Sequence, residues 1–367
     1  MKESVNYYLK LFQRKFCRKL IRTKILILNT NRTMTTVSIS VEELYDLCHK
    51  ALIKHGCDEK NAAATASSMT MAEKDGSHSH GIFRLAGYVA ALKSGKINGK
   101  ATPVLKELTP CILRIDGDNC MAPLAIQAAK EPLIESAKKF GLAAMSLVKI
   151  HHFSALWIEV EMLTNAGLAA IACTSYMPSV APAGGTKPFY GTNPMAFGWP
   201  RKGKAPMIFD QATATMAKGE IMIAARDGKT LPPGVGIDNE GNSTNDPNEV
   251  LKGCILPFGG YKGANIAMMI ELLAGPLIGE TTSIETAKND NRDGGPPQGG
   301  EFILAFDPEK FGSEEDPLEH GERLFSALLE NEGTRLPGYR RDVNRSKNIN
   351  NVTIPESLYK TASSLCE

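Results

Sequence analysis

Over residues 122–174 the sequence switches repeatedly between a helical and an extended apolar period: helix over 122–140, strand over 142–148, helix over 154–166, strand over 168–174. Such alternation lets each strand be covered by a neighbouring helix, and it restricts the chain to a layered α/β architecture. At 367 residues the chain is long enough for two or three substructures with sizeable cores.

Before this stretch the pattern is helical. Ser40-Val-Glu-Glu43 has the order of a capping box, with Val41, Leu44, Leu47, Cys48, Ala51 and Leu52 following at helical spacing until His55-Gly56. Asp58 is expected to cap a second helix over 59–74 that stops at Asp75-Gly76, and a third covers 85–92. After the alternating stretch come a turn-rich segment over 178–200, a short strand over 206–209 leading into Asp210, and a helix over 215–226. A polar loop spans 228–253, and the strongly apolar helix over 263–273 is expected to be buried all round. The remainder reads as a mobile segment over 281–300, a strand over 301–306, a helix over 316–332, a basic segment at Arg335 to Arg341, and a last helix from Pro355.

Charge and cysteine usage exclude several functions. Lys and Arg total 42 against 40 Asp and Glu, so the net charge of +2 gives no drive toward nucleic acid or membrane, and a small-molecule partner is expected. The 8 cysteines include no C-x-x-C pair and read as free thiols in a reducing compartment. No apolar run reaches the roughly 18 to 20 residues of a membrane span. Residues 1–33 are basic and almost free of acid, and two readings stand: an upstream start preceding a true Met34, or a mitochondrial presequence. The expected location is the cytoplasm, or the mitochondrial matrix if the presequence is real.

The segment Asp75-Gly-Ser-His-Ser-His-Gly-Ile-Phe-Arg84 packs two imidazoles, two serine hydroxyls, a carboxylate and a guanidinium into one turn after a helix. An imidazole can move a proton near neutral pH, and an arginine four residues on can hold a carboxylate by a bidentate fork. His151-His152 sits at a strand-to-helix junction, where backbone amides and Ser154 can receive an anion. No carboxylate or cysteine stands at ligand spacing beside either histidine pair, so no metal is expected. Gly191-Thr192-Asn193-Pro194 offers polar donors on a turn-rich loop, and Phe258-Gly-Gly-Tyr-Lys-Gly263 leads glycines and a lysine into a helix start. Arg335, Arg340 and Arg341 form a compact basic cluster suited to a phosphate monoester. The chain has no G-x-G-x-x-G, so a dinucleotide is not bound by the ordinary Rossmann fingerprint.

Taken together, DGSHSHGIFR, HHFSALW, FYGTNPMAFGWPR, LPFGGYKG and RLPGYRR resemble the non-Rossmann malate/L-lactate dehydrogenase superfamily, and within it the Δ1-piperideine-2-carboxylate/Δ1-pyrroline-2-carboxylate reductases. The resemblance runs from about Ser40 to Arg341 with the motifs in matching order. It implies an α/β/α fold with a mixed, largely antiparallel central sheet, a helical N-terminal part, and a non-Rossmann NADP-binding domain. The expected division is a substrate-binding part over 34–150, an NADP(H)-binding domain with inserted loops over 151–300, and a part over 301–367 that returns to the first.

The resemblance also assigns roles. Ser79 and His80 match a relay serine and a proton-donating histidine, and Glu220 falls where the third relay member stands. Arg84 matches the carboxylate-holding arginine, with Thr192, Lys218 and Gly219 as further substrate contacts. NADP(H), or NADH in its place, is expected on His152, Phe153, Ser154, Ala155 and Leu156, on Asp210, Gln211 and Ala212, and on Tyr261 and Lys262. Arg335, Leu336, Pro337, Gly338, Tyr339, Arg340 and Arg341 complete that set. This chain has Lys218-Gly219-Glu220 where the branch resembles H-G-D, which lengthens the relay acid by one methylene and adds a charge near the substrate. The implied reaction is NADPH-dependent reduction of Δ1-piperideine-2-carboxylate to L-pipecolate and Δ1-pyrroline-2-carboxylate to L-proline. The alternative is a 2-hydroxy-acid dehydrogenase acting on malate, lactate or ureidoglycolate, and a homodimer is implied in either case.

Overall fold

The computed structural model describes residues 35–312 and 314–367, so the readings for 1–33 and Met34 lie outside it. Strand β1 (Thr36–Ser40) leads into α1 (Val41–Lys54), where Ser40 Oγ accepts the Glu43 amide at 2.9 Å. Asp58 caps α2 (Glu59–Lys74) by accepting the Asn61 amide at 2.9 Å. Both caps satisfy amides that an α-helix leaves without partners in its first turn. A single 3₁₀ turn, Ile82–Arg84, then precedes α3 (Leu85–Lys93).

Next come β2 (Val104–Thr109), β3 (Ile112–Met121), α4 (Ala122–Phe140), β4 (Leu142–His151), α5 (Leu156–Asn165), β5 (Ala169–Thr174), β6 (Met195–Trp199) and β7 (Met207–Gln211). Helix α4 ends on Gly141 at φ 89°, a left-handed conformation that suits glycine and turns the chain straight into β4. The second half contains α6 (Lys218–Arg226), the small ribbon β8 (Gly236–Ile237) and β9 (Ser243–Thr244), α7 (Pro247–Lys252) and β10 (Cys254–Ile255). It continues with α8 (Tyr261–Ala274), α9 (Ser283–Asn289), β11 (Gln298–Phe306), α10 (Pro317–Leu329), α11 (Tyr339–Lys347), β12 (Asn351–Pro355) and α12 (Glu356–Cys366).

The central sheet has 7 strands in the order β2-β3-β4-β11-β5-β6-β7. Only β3 and β4 run parallel, joined by the crossover helix α4, and every other pair is antiparallel. Strand β11 enters between β4 and β5, pairing Phe302 with Ser146 on one side and with Cys173 on the other. Ile115, Leu147, Met145, Leu133, Trp157 and Val160 pack where α4 and α5 cover the sheet. A Cβ on Gly198 would overlap the Val160 side chain, so β6 and α5 meet at glycine distance. A second core joins α1, α2 and α3 to the antiparallel β1–β12 ribbon through Leu44, Leu52, Met69, Tyr88 and Ile354. The layered α/β fold with a mixed, largely antiparallel sheet is therefore present.

Several local expectations change. The strand expected over 142–148 runs to His151, and the helix expected from 154 begins at Leu156. Helix α6 starts at Lys218 instead of 215. Helix α8 is not buried all round: Ala264, Ala267, Ile270 and Ala274 face inward at a 3–4 spacing, while Met268 (50% exposed), Met269 (43%) and Leu272 (55%) face out. The segment expected to be mobile over 281–300 is tied down, with a capping box on α9 and Lys96 Nζ held by Asp290 at 2.9 Å and Asp293 at 2.5 Å. Tyr339, Arg340 and Arg341 of the basic segment wind into α11, a helix with no buried residue and hence no apolar stripe to read. No helix among the described residues is long and apolar enough to cross a membrane, and the described cysteines form no disulfide.

Candidate active site

The turn after α2 is held from three sides. Gly76 at φ 76° redirects the chain, Ser77 N donates to Ala72 O at 2.8 Å, and the buried Glu73 accepts the Ile82 amide at 3.1 Å. A Cβ on Gly81 would overlap that same Glu73 carboxylate. Glu73 also pairs with His78 Nδ1 at 2.6 Å, and this hydrogen bond holds the His78 ring above its usual titration range. His78 is thereby occupied on the exposed side of the turn, leaving its neighbours to face inward.

Ser79 Oγ and His80 Nδ1 lie 2.9 Å apart, and Arg84 Nε donates to Ser79 O at 2.6 Å. The Arg84 guanidinium stacks over the Phe153 ring, 4.4 Å from its centroid, while Phe153 packs edge-on against Tyr88. Burial lowers the Arg84 pKa, and no acid among the described residues pairs with it. An arginine stays charged even so, and its outer edge is left to receive an anion. Burial first, then the charges of Arg84 and His152, push the His80 ring down to about 3. In the protein alone His80 is a neutral imidazole near pH 7.

The start of α6 closes the same space. Gly219 lies against the turn, where a Cβ would stand 2.8 Å from Ser79 Cβ and 2.9 Å from Arg84 Nη2. Lys218, one position earlier, has its pKa lowered by burial and then by Arg84. Glu220 is exposed, and among the described residues it hydrogen-bonds neither Ser79 nor His80. Successive residues of a helix are about 100° apart around its axis, so with Gly219 inward Glu220 is carried away from the pair. The structure thus brings together Ser79, His80, Arg84, Lys218 and Gly219, and leaves the expected relay acid outside.

Thr192 is fixed from behind: its carbonyl accepts both Thr213 N (2.8 Å) and Thr213 Oγ1 (2.9 Å). Asn193 beside it donates to Glu271 Oε1 at 2.7 Å and to Ala267 O at 3.1 Å. The other Glu271 oxygen accepts Ser283 N at 2.8 Å, and Ser283 Oγ accepts Gly191 N at 3.0 Å. One buried carboxylate on α8 therefore sets the loop that carries Thr192. An acid inside an apolar helix was its only sequence signal.

On the expected cofactor side, Asp210 at the end of β7 accepts the Trp157 amide at 3.0 Å, joining Asp210 to the segment His152–Leu156. Gln211 pairs with Met195 at the sheet edge, with Ala212 just beyond, and Tyr261 and Lys262 open α8 after Gly259 and Gly260 at positive φ. The Arg341 guanidinium lies 4.6 Å from the centroid of a Trp157 ring. Arg335 and Tyr339 line a cavity of about 410 Å³ together with Arg201, Leu336 and Pro337. Gly338, at φ 90°, seats the start of α11 against Ile208 O. Lys262, Arg335, Arg340 and Arg341 make no ion pair among the described residues, and a set of unpaired cations on glycine-shaped backbone fits a phosphate-bearing group.

A further cluster was not foreseen because its members come from three separate elements. His152 Nε2 lies 3.0 Å from Glu159 Oε1 and 3.5 Å from Glu301 Oε2, with all three ligand-type atoms within 4.8 Å of one another. Such a set can hold a cation or a proton. Burial pushes the Glu159 carboxyl up to about 8 and raises Glu301 well above the usual carboxylate range, so near neutral pH the cluster retains protons in place of two bare carboxylates.

Fold and site together define a nicotinamide-dependent oxidoreductase without a Rossmann fingerprint. The chain belongs to the malate/L-lactate dehydrogenase family, whose model matches residues 39–362. It is 44% identical to a Δ1-pyrroline-2-carboxylate reductase of Ancylobacter novellus over 326 residues, 88% of this chain and 96% of that one. It is 42% identical to a Δ1-pyrroline-2-carboxylate/Δ1-piperideine-2-carboxylate reductase of Pseudomonas aeruginosa, over 90% of this chain and 100% of the other. Among solved structures, Δ1-piperideine-2-carboxylate reductase from Pseudomonas syringae superposes with a TM-score of 0.85 at 37% identity, covering 90% and 99% of the two chains. A sulfolactate dehydrogenase from Methanocaldococcus jannaschii superposes at 0.81 with 30% identity, covering 90% and 96%.

The contact of Gly219 with the turn gives a direct test. Gly219→Ala is expected to retain native far-UV circular dichroism but to lower kcat/KM by roughly a hundredfold, because its methyl group displaces Ser79 or Arg84 from working geometry. Unchanged kinetics would mean that α6 is not a wall of the site.

Proposed function

We propose that this protein reduces cyclic 2-imino acids, taking Δ1-piperideine-2-carboxylate to L-pipecolate and Δ1-pyrroline-2-carboxylate to L-proline, with NADPH as reductant. The observation that carries the proposal is the half-buried, acid-free guanidinium of Arg84 beside the Ser79–His80 pair. The relatives above, reductases of these two cyclic imines, supply the substrate class. NADPH, when bound, supplies the hydride.

The chain's own residues do the rest. Arg84 receives the substrate carboxylate by its free edge, and the Phe153 face behind it fixes the plane of the fork. Held at this end, a small ring has one face turned to the cofactor side, an orientation effect that removes rotational freedom before reaction. His80 gives its proton to the substrate nitrogen, with Ser79 Oγ holding Nδ1 so that Nε2 is the ring nitrogen left for transfer. The substrate's negative charge offsets the Arg84 charge that depresses His80, so the ring gains proton affinity as the complex forms. Lys262, Arg335, Arg340 and Arg341 are assigned to the cofactor's phosphates, and the dianionic phosphate of NADPH answers this surplus of cations better than NADH does.

A second reading has one observation in its favour. Lys218 adds a cation beside Arg84, which suits a substrate with a second acidic group, such as a malate-type 2-hydroxy acid. A homodimer is the assembly we propose, supported by the apolar face of α8 at Met268, Met269 and Leu272.

Following NADPH and NADH loss separately against Δ1-piperideine-2-carboxylate, pyruvate and oxaloacetate separates the two readings. Turnover of the cyclic imine with NADPH is expected, and His80→Ala should lower kcat by about 100-fold or more with little change in NADPH affinity. Activity confined to a keto acid with NADH would remove both the substrate and the cofactor assignment. In the reductive direction the protonated His80 is the active form, so rate falls as pH rises through its pKa. The falling limb of kcat should lie about one pH unit or more above that of kcat/KM, since the former reports the complex and the latter the free enzyme. Coincident limbs would show that substrate charge does not act on His80. Sedimentation equilibrium should give twice the chain mass, and a monomer at micromolar concentration would sink the dimer.

A further inference from the structure

Arg345 has no part in the steps above, yet it makes four charged hydrogen bonds. Its Nε and Nη2 reach Asp75 Oδ1 and Oδ2 at 2.9 and 2.6 Å, and its Nη1 and Nη2 reach Glu161 Oε1 and Oε2 at 2.9 and 3.0 Å. The Asp75 and Glu161 side chains are 1% and 9% exposed, so Arg345 is the counter-charge of two buried carboxylates from different elements. Asp75 is the residue on which α2 ends and the Ser79–His80 turn begins. The grip on that point extends beyond the ion pairs. Asn344 Nδ2 donates to Asp75 O at 3.2 Å, Asn348 Nδ2 donates to Lys74 O at 2.9 Å, and a Cβ on Gly76 would overlap Asn344. These side chains satisfy carbonyls that the end of α2 leaves without helical partners.

The other end of the same helix is the basic segment. Arg341 and Arg345 stand one turn apart on α11, hence on one face, and both lie over Trp157, at 4.6 and 5.5 Å from ring centroids. The Trp157 amide in turn donates to Asp210. One helix thus carries phosphate-directed arginines at its start and the clamp on the catalytic turn in its last turn.

We infer that Arg345 is a positioning residue that links the arginine cluster to the Ser79–His80 turn, so that cofactor and substrate each favour the other's binding. The inference rests on the reading that Arg335 to Arg341 hold the cofactor's phosphate. Its physical basis is that removing Arg345 leaves Asp75 and Glu161 buried without the guanidinium that hydrogen-bonds both, a state relieved by moving the turn away from α11. Linkage is reciprocal, so the effect must appear with either ligand added first.

The test is a binding cycle on the full chain by titration calorimetry. It uses NADP⁺ and pyrrole-2-carboxylate, a planar ring carboxylate with no reducible C=N bond. The wild type is expected to bind each ligand at least about fivefold tighter in the presence of the other. Arg345→Gln should bring this factor below about twofold while NADP⁺ alone binds within about threefold of wild type, and Arg345→Lys, which lacks the fork, should recover only part of it. Glu161→Gln removes one arm and keeps the Asp75 pair, so it decides the matter if Arg345→Gln does not fold: an intermediate factor supports the linkage and an unchanged one overturns it. Wild-type coupling in Arg345→Gln, or none in the wild type, also overturns it. Because the cycle reads binding and not turnover, failure to reduce Δ1-piperideine-2-carboxylate removes the proposed reaction alone, whereas a wild type that binds neither ligand removes both.

Discussion

A half-buried guanidinium without an acid beside it is the constraint on which the site depends. Supplying Arg84 with a carboxylate from the protein would neutralise it and close the site to a carboxylate from outside. Instead its support comes from a backbone carbonyl at Ser79 and the face of Phe153, which stabilise the cation without consuming its outer edge. The neighbouring charges follow from this choice. His80 is held neutral, and His78, whose protonated form Glu73 favours, has its charge matched by that carboxylate on the exposed side of the turn.

The packing around the turn is accordingly polar where polar groups must be held and apolar where only shape matters. Glu271 and Arg345 each join segments that are remote in sequence, Glu73 ties the end of its helix to the turn that follows, and each is satisfied by several partners at once. Networks of this kind are stable only when complete, since a buried carboxylate without partners costs more than an apolar replacement would. The cluster of His152, Glu159 and Glu301 solves the same problem differently, by retaining protons.

Much of this was legible. Cap residues at Ser40 and Asp58, the alternation over 122–174, and the polar decapeptide from Asp75 to Arg84 each carry a local signal, and local signals survive folding. Strands β2 and β12 gave none, because β2 is exposed along its length and β12 is short and alternates only once its partner β1 is known. Helix α11 was invisible to periodicity because polar side chains fasten it, not an apolar stripe. The relay position of Glu220 was drawn from the family motif, and in the structure Glu220 is exposed, with no hydrogen bond to Ser79 or His80. Glu271 and Glu301 looked like isolated acids in apolar runs, since their partners lie in other parts of the chain.

The place of β11 in the sheet has a consequence for biosynthesis. Strands β4 and β5 flank it, and both leave the ribosome more than a hundred residues before Gln298 does. Until then the nascent chain has two unsatisfied edges facing a gap, and any extended segment that fills it early makes a trapped sheet. The central sheet is therefore completed only when the segment Gln298–Phe306 takes its place between two strands formed from much earlier sequence.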